Sequence, residues 1–405
     1  MTFDEQTATD LLGARPIQEI ARARSRSLLL GVVGLVFCGI GLAVKGQAFW
    51  QSYLIAFYFW NGLTIGSMAV LMVHHLSGGG WGMVARRIWE AATRTLPLNA
   101  VLFLPIWMAR MTLYPWMRPG ATSDPVIAAK AAYLNVPFFT LRAVLYFVIW
   151  GTLIYLLNKW SREQDENPPM LPGPQDRRFR LLSGPGLVLY VLTITFMSVD
   201  WVMALDPHWY STIFGIITLG GQGLSALAFT ILVLSFLAKY RPMSEVLGAD
   251  QIHDLAKLMF AFVMLWGYFN VSQLIIVWSG NLPEEIPFYL ERLQGAWAPI
   301  SIAVLIFEFV LPFCLLLSRS LKRNPQRVKW VALLLLIARA IDVTWMIGPT
   351  PAFHRSGSTL SWVDVAAFIG LGGIWLTYFW SNLAGRALVP AKDPYFKEAL
   401  AHGGH

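Results

Sequence analysis

The chain has 405 residues, of which 56% are hydrophobic and only 13% charged, with 25 Phe and 18 Trp, and its mean hydropathy is +0.54. No water-soluble fold could cover that much apolar surface. The apolar runs are about 20 residues long, enough to cross roughly 30 Å of hydrocarbon, and they lack the alternation of a barrel, so they read as membrane helices. The net charge of +8 is then a matter of membrane topology, and nucleic-acid binding need not be invoked.

In chain order, residues 1–27 are polar and lack the pattern of a cleaved signal peptide. They are expected to form a cytoplasmic N-terminal segment. Ten spans follow, at about 28–44, 50–73, 96–114, 133–157, 181–205, 211–237, 256–279, 297–317, 329–348 and 362–383. The Pro-rich charged stretch "SREQDENPPMLPGPQDRRFR" (161–180) reads as a cytoplasmic linker between two halves, and 384–405 as a cytoplasmic tail. Cys38 and Cys314 lie inside apolar runs, with no CxxC or CxxCH pattern. Neither an iron–sulfur cluster nor covalent haem is expected, and both read as buried apolar thiols. The seven His fall near span ends, in loops or in the tail, which argues against haem b, and no metal site is expected.

The 31 Lys and Arg test this layout. With ten spans, 23 fall on the side of the two termini and six on the other; Arg142 and Arg339 lie deep in spans. By the positive-inside rule both termini are cytoplasmic.

Two segments recur. "SVDWVMALDP" (198–207) aligns with "AIDVTWMIGP" (340–349), and "AVLYFVIWGTLIYLL" (143–157) with "AVLIFEFVLPFCLLL" (303–317). The expected architecture is an all-α polytopic membrane protein of about ten transmembrane helices, built as two parallel-repeat four-helix bundles. The first bundle takes 50–160 with 181–205 and the second 211–348. One helix flanks them on each side, at 28–49 and 362–383.

Ionisable residues inside a span are costly and tend to face the bundle interior in pairs. Arg142, Asp200, Glu308, Arg339 and Asp342 stand out. Glu308 and Arg339 sit midway in adjacent spans, and Asp342 is three residues beyond Arg339 on the same face. One buried cluster is expected. It reads either as a proton relay, because a carboxylate beside an arginine can take and release a proton, or as a static ion pair that sets helix register. The N-terminal half has Val148 where the C-terminal half has Glu308, so the C-terminal half is the better equipped to move protons. In "FMSVDWVMALDPHWY" (196–210), Asp206 is expected to cap the sixth span with Pro207 at its first position, while the deeper Asp200 is the stronger functional candidate. His74, His75, Arg86, Arg87, Glu90, His253 and Asp254 read mostly as solvated residues at headgroup level. His74 and Glu90 are the best candidates among them for the mouth of a proton path. The Gly-rich "GIITLGGQGLSALA" in the sixth span offers a surface for close helix packing.

The ten spans, the duplicated unit, "VMALDPHWYSTIFG" (202–215) and "NLPEEIPFYLERLQGAW" (281–297) together resemble the polysulfide-reductase membrane subunit (NrfD-like) family. Within it, the likeness is to the second such subunit of bacterial alternative complex III, a quinol:electron-acceptor oxidoreductase. The resemblance implies a place in the bacterial cytoplasmic (inner) membrane beside a sister subunit of the same fold. It further implies an iron–sulfur protein, multi-haem and mono-haem c-type cytochromes and small membrane subunits as partners. Haem c and iron–sulfur clusters would then belong to those partners, and this chain would carry none. Four readings stay open. The chain could conduct protons through Asp200, Glu308, Arg339, Asp342, His74 and Glu90 while partners oxidise quinol. It could itself bind menaquinol or ubiquinol at Arg142, Asp200 and His208. It could be a secondary transporter, or a scaffold whose buried charges are structural.

Overall fold

In hydrocarbon every backbone N–H and C=O needs an internal partner, and a run of Leu, Val, Ile and Phe satisfies this most directly as a helix. The computed structural model describes residues 17–166, 174–350, 360–390 and 392–393. Its long elements are all helices: α1 (Ile17–Lys45), α2 (Gln47–Ser77), α3 (Arg86–Thr93), α4 (Leu96–Met108), α5 (Val136–Glu166), α6 (Pro174–Trp201), α7 (Phe214–Leu237), α8 (Ala249–Gly280), α9 (Pro287–Leu293), α10 (Ala298–Val304), α11 (Leu311–Leu316), α12 (Pro325–Ile347) and α13 (Trp362–Ala384). Among the described residues, nine helices are long and apolar enough to cross a membrane. The protein is an all-α polytopic membrane protein.

The expected third span, 96–114, is not among the nine. Its helix α4 has 13 residues and ends at Met108, three residues after an internal Pro105, so it reaches only about 20 Å. It follows α3 end to end across Arg94 and Thr95. The expected eighth span is helical but not uniformly α. A π-helical turn, Leu305–Val310, joins α10 to α11. Pro312 lies four residues beyond Glu308, where its ring would press on the Glu308 carbonyl of a regular helix. The wider turn relieves that crowding, and such turns recur at functional sites.

Helices also outrun the apolar windows that revealed them. The first begins at Ile17 rather than 28, and the 161–180 linker shrinks because α5 runs to Glu166 and α6 starts at Pro174. Residues 167–173, the first 16 residues and most of the 384–405 tail lie outside the described residues.

Packing follows the same order in the two sets of four. In the first, α2 packs on α4 and α6, and α5 on α4 and α6; in the second, α7 packs on α8 and α12, and the α10–α11 segment on α8 and α12. The sets meet through α2 and α7, with α7 also on α6 and α12 on α2. Backbones touch where side chains are absent: a Cβ on Gly66 would lie 2.4 Å from the Gln222 carbonyl oxygen, so only glycine permits this α2–α7 approach. The crossing of α1 and α13 uses the same device, since a Cβ on Gly34 would lie 2.3 Å from Gly370 N. Cys38 is buried as expected, but Cys314 is exposed, because it falls on the outward face of α11.

Candidate functional site

The π-helical turn carries Glu308, whose exposure is 0%. Across from it, α12 presents Arg339 and Asp342, one turn apart and both buried. Arg339 Nη1 donates to Glu308 Oε1 at 2.9 Å and also pairs with Asp342. The expected three-membered cluster is therefore formed. Space for the guanidinium comes from α7, where a Cβ on Gly221 would lie 2.2 Å from Arg339 Nη2. The second carboxylate oxygen of Glu308 and Nε of Arg339 find no hydrogen-bond partner among the described residues. One guanidinium thus serves two carboxylates. If both were ionised, Arg339 could match only one of them directly; the other would be left to Arg292, which acts on Asp342 at longer range, or to a proton.

Arg292 closes the same end of α12. Its guanidinium donates to the Trp345 and Met346 carbonyls at 3.1 and 2.7 Å and to Phe288 O at 2.7 Å, satisfying carbonyls that a helix C-terminus leaves open. Burial pulls the Arg292 guanidinium down to about 9.

In the first half the arrangement is a closed pair. Arg142 Nε and Nη2 each donate at 2.8 Å to the two oxygens of Asp200, whose exposure is 1%. Tyr146 donates its hydroxyl to the same carboxylate at 2.6 Å. The guanidinium lies 3.8 Å from the Tyr133 ring centre and donates to the Tyr133 carbonyl at 3.1 Å. His208, expected beside these two, bonds elsewhere: its Nε2 lies 2.8 Å from Asp124 Oδ2. Asp124 caps the short helix Pro125–Ala129, and its carboxyl is held below the usual range, first by the Val126 N–H and further by His208. Asp206 is not a helix cap, because α7 begins only at Phe214. It accepts instead from the His208 N–H at 3.1 Å, a local turn that competes with helix initiation.

The third group corrects the expectation of solvated headgroup residues. His74, His75, Arg86, Arg87 and Glu90 are all buried, while Asp254 is exposed. Glu90 accepts from Arg86 Nε at 2.9 Å, Arg87 Nη1 at 2.7 Å, Arg386 Nη1 at 3.1 Å and Ser161 Oγ at 2.7 Å. Arg86 also reaches Asp393 at 2.6 Å, and Arg87 pairs with Asp165. Burial alone would raise the Glu90 carboxyl, but Arg87, Arg86 and Arg386 hold it well below the usual carboxylate range. It stays ionised, which suits a structural anchor better than a proton carrier. His74 is packed edge-on against Trp81 with ring centres 5.3 Å apart and makes no hydrogen bond to Glu90. His75 stacks on Phe179.

Sequence reasoning missed a row of neutral polar groups on α2. The Tyr58 hydroxyl meets Thr218 Oγ1 at 3.0 Å and lies within electrostatic reach of Arg339 and Asp342. One and two turns along, Asn99 bridges Asn61 and Thr64 at 3.2 and 2.9 Å, and Thr64 meets Thr95 at 2.6 Å. The signal was present as Tyr58, Asn61 and Thr64 at three-residue spacing inside an apolar run. No group of three or more His, Cys, Asp or Glu converges as a metal site among the described residues. No protein-family model and no curated protein sequence matches the chain.

Proposed function

We propose that the chain is a cofactor-free membrane subunit of an NrfD-like, quinol-oxidising electron-transfer complex of the alternative complex III type. We further propose that Glu308, Arg339 and Asp342 handle the proton coupled to that oxidation. The observation that carries the reading is the charge ratio of the cluster: two buried carboxylates around one guanidinium, a set that a single proton completes. The polar row from Tyr58 to Thr95 supports it, since these hydroxyls and amides lead from the cluster toward α3. Menaquinol or ubiquinol would be oxidised at a sister subunit. Iron–sulfur clusters and haem c in partner chains would carry the electrons, within a bacterial cytoplasmic membrane and with both termini of this chain in the cytoplasm. A quinol site on Arg142 and Asp200 has less support, because both Asp200 oxygens are already engaged.

Two experiments test this. Purification through a tag on this chain should bring down c-type haem absorbance and iron–sulfur subunits; a colourless chain arriving alone removes the complex from consideration. In liposomes containing the purified complex, Asp342→Asn and Glu308→Gln should lower the protons moved per electron while leaving quinol turnover largely intact. An unchanged ratio in both variants would leave the cluster as a static register pin.

A further inference from the structure

Two cavities lie along one groove between α4 and α5. The first, about 480 Å³, is floored by Leu96 on α4 and by Gly151 and Tyr155 on α5, and Arg94, Lys159 and Arg162 stand at its end. The second, about 500 Å³, continues along the same two helices, with Ala100 and Leu104 on one wall and Ala143, Val144 and Phe147 on the other. On α5 the lining positions follow one another at helical spacing from Asn158 to Thr140. That is about 27 Å of helix, longer than one leaflet of hydrocarbon. Small residues at Ala100, Ala143 and Gly151 leave room between larger neighbours such as Phe103, Trp107 and Phe147. A Cβ on Gly151 would meet only Leu96 Cδ2, at 3.8 Å.

The charged end is not balanced from within the described residues. Among them Arg94 bonds only to backbone carbonyls, those of Glu90 at 3.3 Å and Asn382 at 2.6 Å, and neither Lys159 nor Arg162 makes an ion pair. Of the two carboxylates at the rim, Glu163 is taken by Arg178 at 2.8 Å, and Glu166, exposed like Lys159 and Arg162, offsets only one of the three positive charges. Burial first, and the neighbouring Arg386 second, pull the Arg94 guanidinium down to about 10, against the opposing pull of Glu90. An anion placed among Arg94, Lys159 and Arg162 would relieve that excess. An apolar strip running from it into the membrane calls for an anion attached to a hydrocarbon chain.

We propose that the α4–α5 groove binds an anionic phospholipid of the leaflet on the Arg94 side. Its phosphate sits among Arg94, Lys159 and Arg162, and one acyl chain lies along Leu96, Gly151, Ala100 and Ala143. A neutral lipid would leave the three cations unmatched. A free anion would leave the apolar strip empty.

The test uses the full-length protein as it purifies, stripped of lipid in neutral detergent, with thermal unfolding and native mass spectrometry as readouts. Phosphatidylglycerol should raise the unfolding temperature and give a one-lipid adduct, whereas phosphatidylcholine and inorganic phosphate should do neither. Lys159→Gln with Arg162→Gln should weaken the adduct about tenfold or more. Gly151→Leu, which fills the floor and leaves every charge in place, should abolish it. An equal shift from phosphatidylcholine, a full shift from phosphate alone, or an unaltered adduct in both variants would overturn the proposal.

Discussion

The two halves of the molecule share a packing order but solve the problem of a buried charge in opposite ways. In the first half one arginine faces one aspartate, both oxygens are taken, and a tyrosine hydroxyl completes the set. In the second, one arginine is divided between Glu308 and Asp342, and one carboxylate oxygen is left without a partner among the described residues. A neutral, saturated pair has nothing to gain from a proton; an unbalanced triad does. The difference comes from few positions: Glu308 in place of the first half's Val148, an arginine moved onto the same helix as its aspartate, and Gly221 on the neighbouring helix.

The comparison breaks most sharply at the arginines. Arg339→Leu strands two carboxylates in a site with no water-facing side, and should destabilise the protein by about 3–5 kcal/mol. Arg142→Leu strands one carboxylate that keeps the Tyr146 hydroxyl, at a position where the arginine side chain is 13% exposed. It should cost less, about 1–3 kcal/mol. Yield of folded protein and unfolding temperature in detergent check the order, and equal losses would dissolve the distinction between the halves.

Glu90 supplies the opposite case, a carboxylate with three guanidinia around it, two of which are shared with Asp393 and Asp165. Its carboxyl is held below the usual value of 4.5, so its folded value lies under its unfolded one. The stability it contributes is therefore complete above about pH 4.5 and lost as pH falls through the folded value. Between about pH 5 and 8 it should add no slope to the unfolding temperature. Glu90→Gln should lower that temperature by an amount equivalent to about 2–3 kcal/mol throughout this range and flatten the acid limb. A titration near neutral pH that vanishes in Glu90→Gln would show that the site changes protonation after all.

Gly221→Ala is a finer probe, because it alters no charge. The new Cβ would need the space of Arg339 Nη2, 2.2 Å away. The guanidinium must turn, at about 1–3 kcal/mol, and proton movement should fall with it if the triad carries protons. Gly66→Ala, which presses on backbone rather than on the cluster, is the control: it should reduce stability and, under the proposed function, leave the protons moved per electron unchanged in the protein that still folds.

How much of this was legible beforehand divides along physical lines. Charges inside apolar runs are conspicuous, and a three-residue spacing places Arg339 and Asp342 on one helix face, so the triad could be read from the chain itself. Tyr133 and Tyr146 could not, because aromatic residues are ordinary in membrane spans and nothing local marks a ring that will lie over Arg142 or a Tyr146 hydroxyl that will meet Asp200. The burial of Glu90 was hidden for a different reason. Its segment has the character of a short polar loop, and only the return of α5 and the chain after α13 encloses it with Ser161 and Arg386. Hydropathy windows also end where charges begin, which is why α1 and α5 proved longer than expected. The 13-residue α4 starts where expected but falls short at its far end, where the regular helix stops at Met108 after Pro105 and breaks at Ala109.

The smallest expected effect concerns His208, and it separates the two readings of the first half. Its side chain is 55% exposed and bonded to Asp124 rather than to Arg142 or Asp200. A surface substitution of that kind changes stability by no more than about 0.5 kcal/mol. His208→Ala should thus leave folding at the wild-type level, and, under the proposed function, quinol turnover and proton movement as well. A marked fall in quinol turnover with folding intact would mean that the loop closes over the Arg142–Asp200 pair during the reaction. The first half would then hold a substrate site rather than a neutral brace.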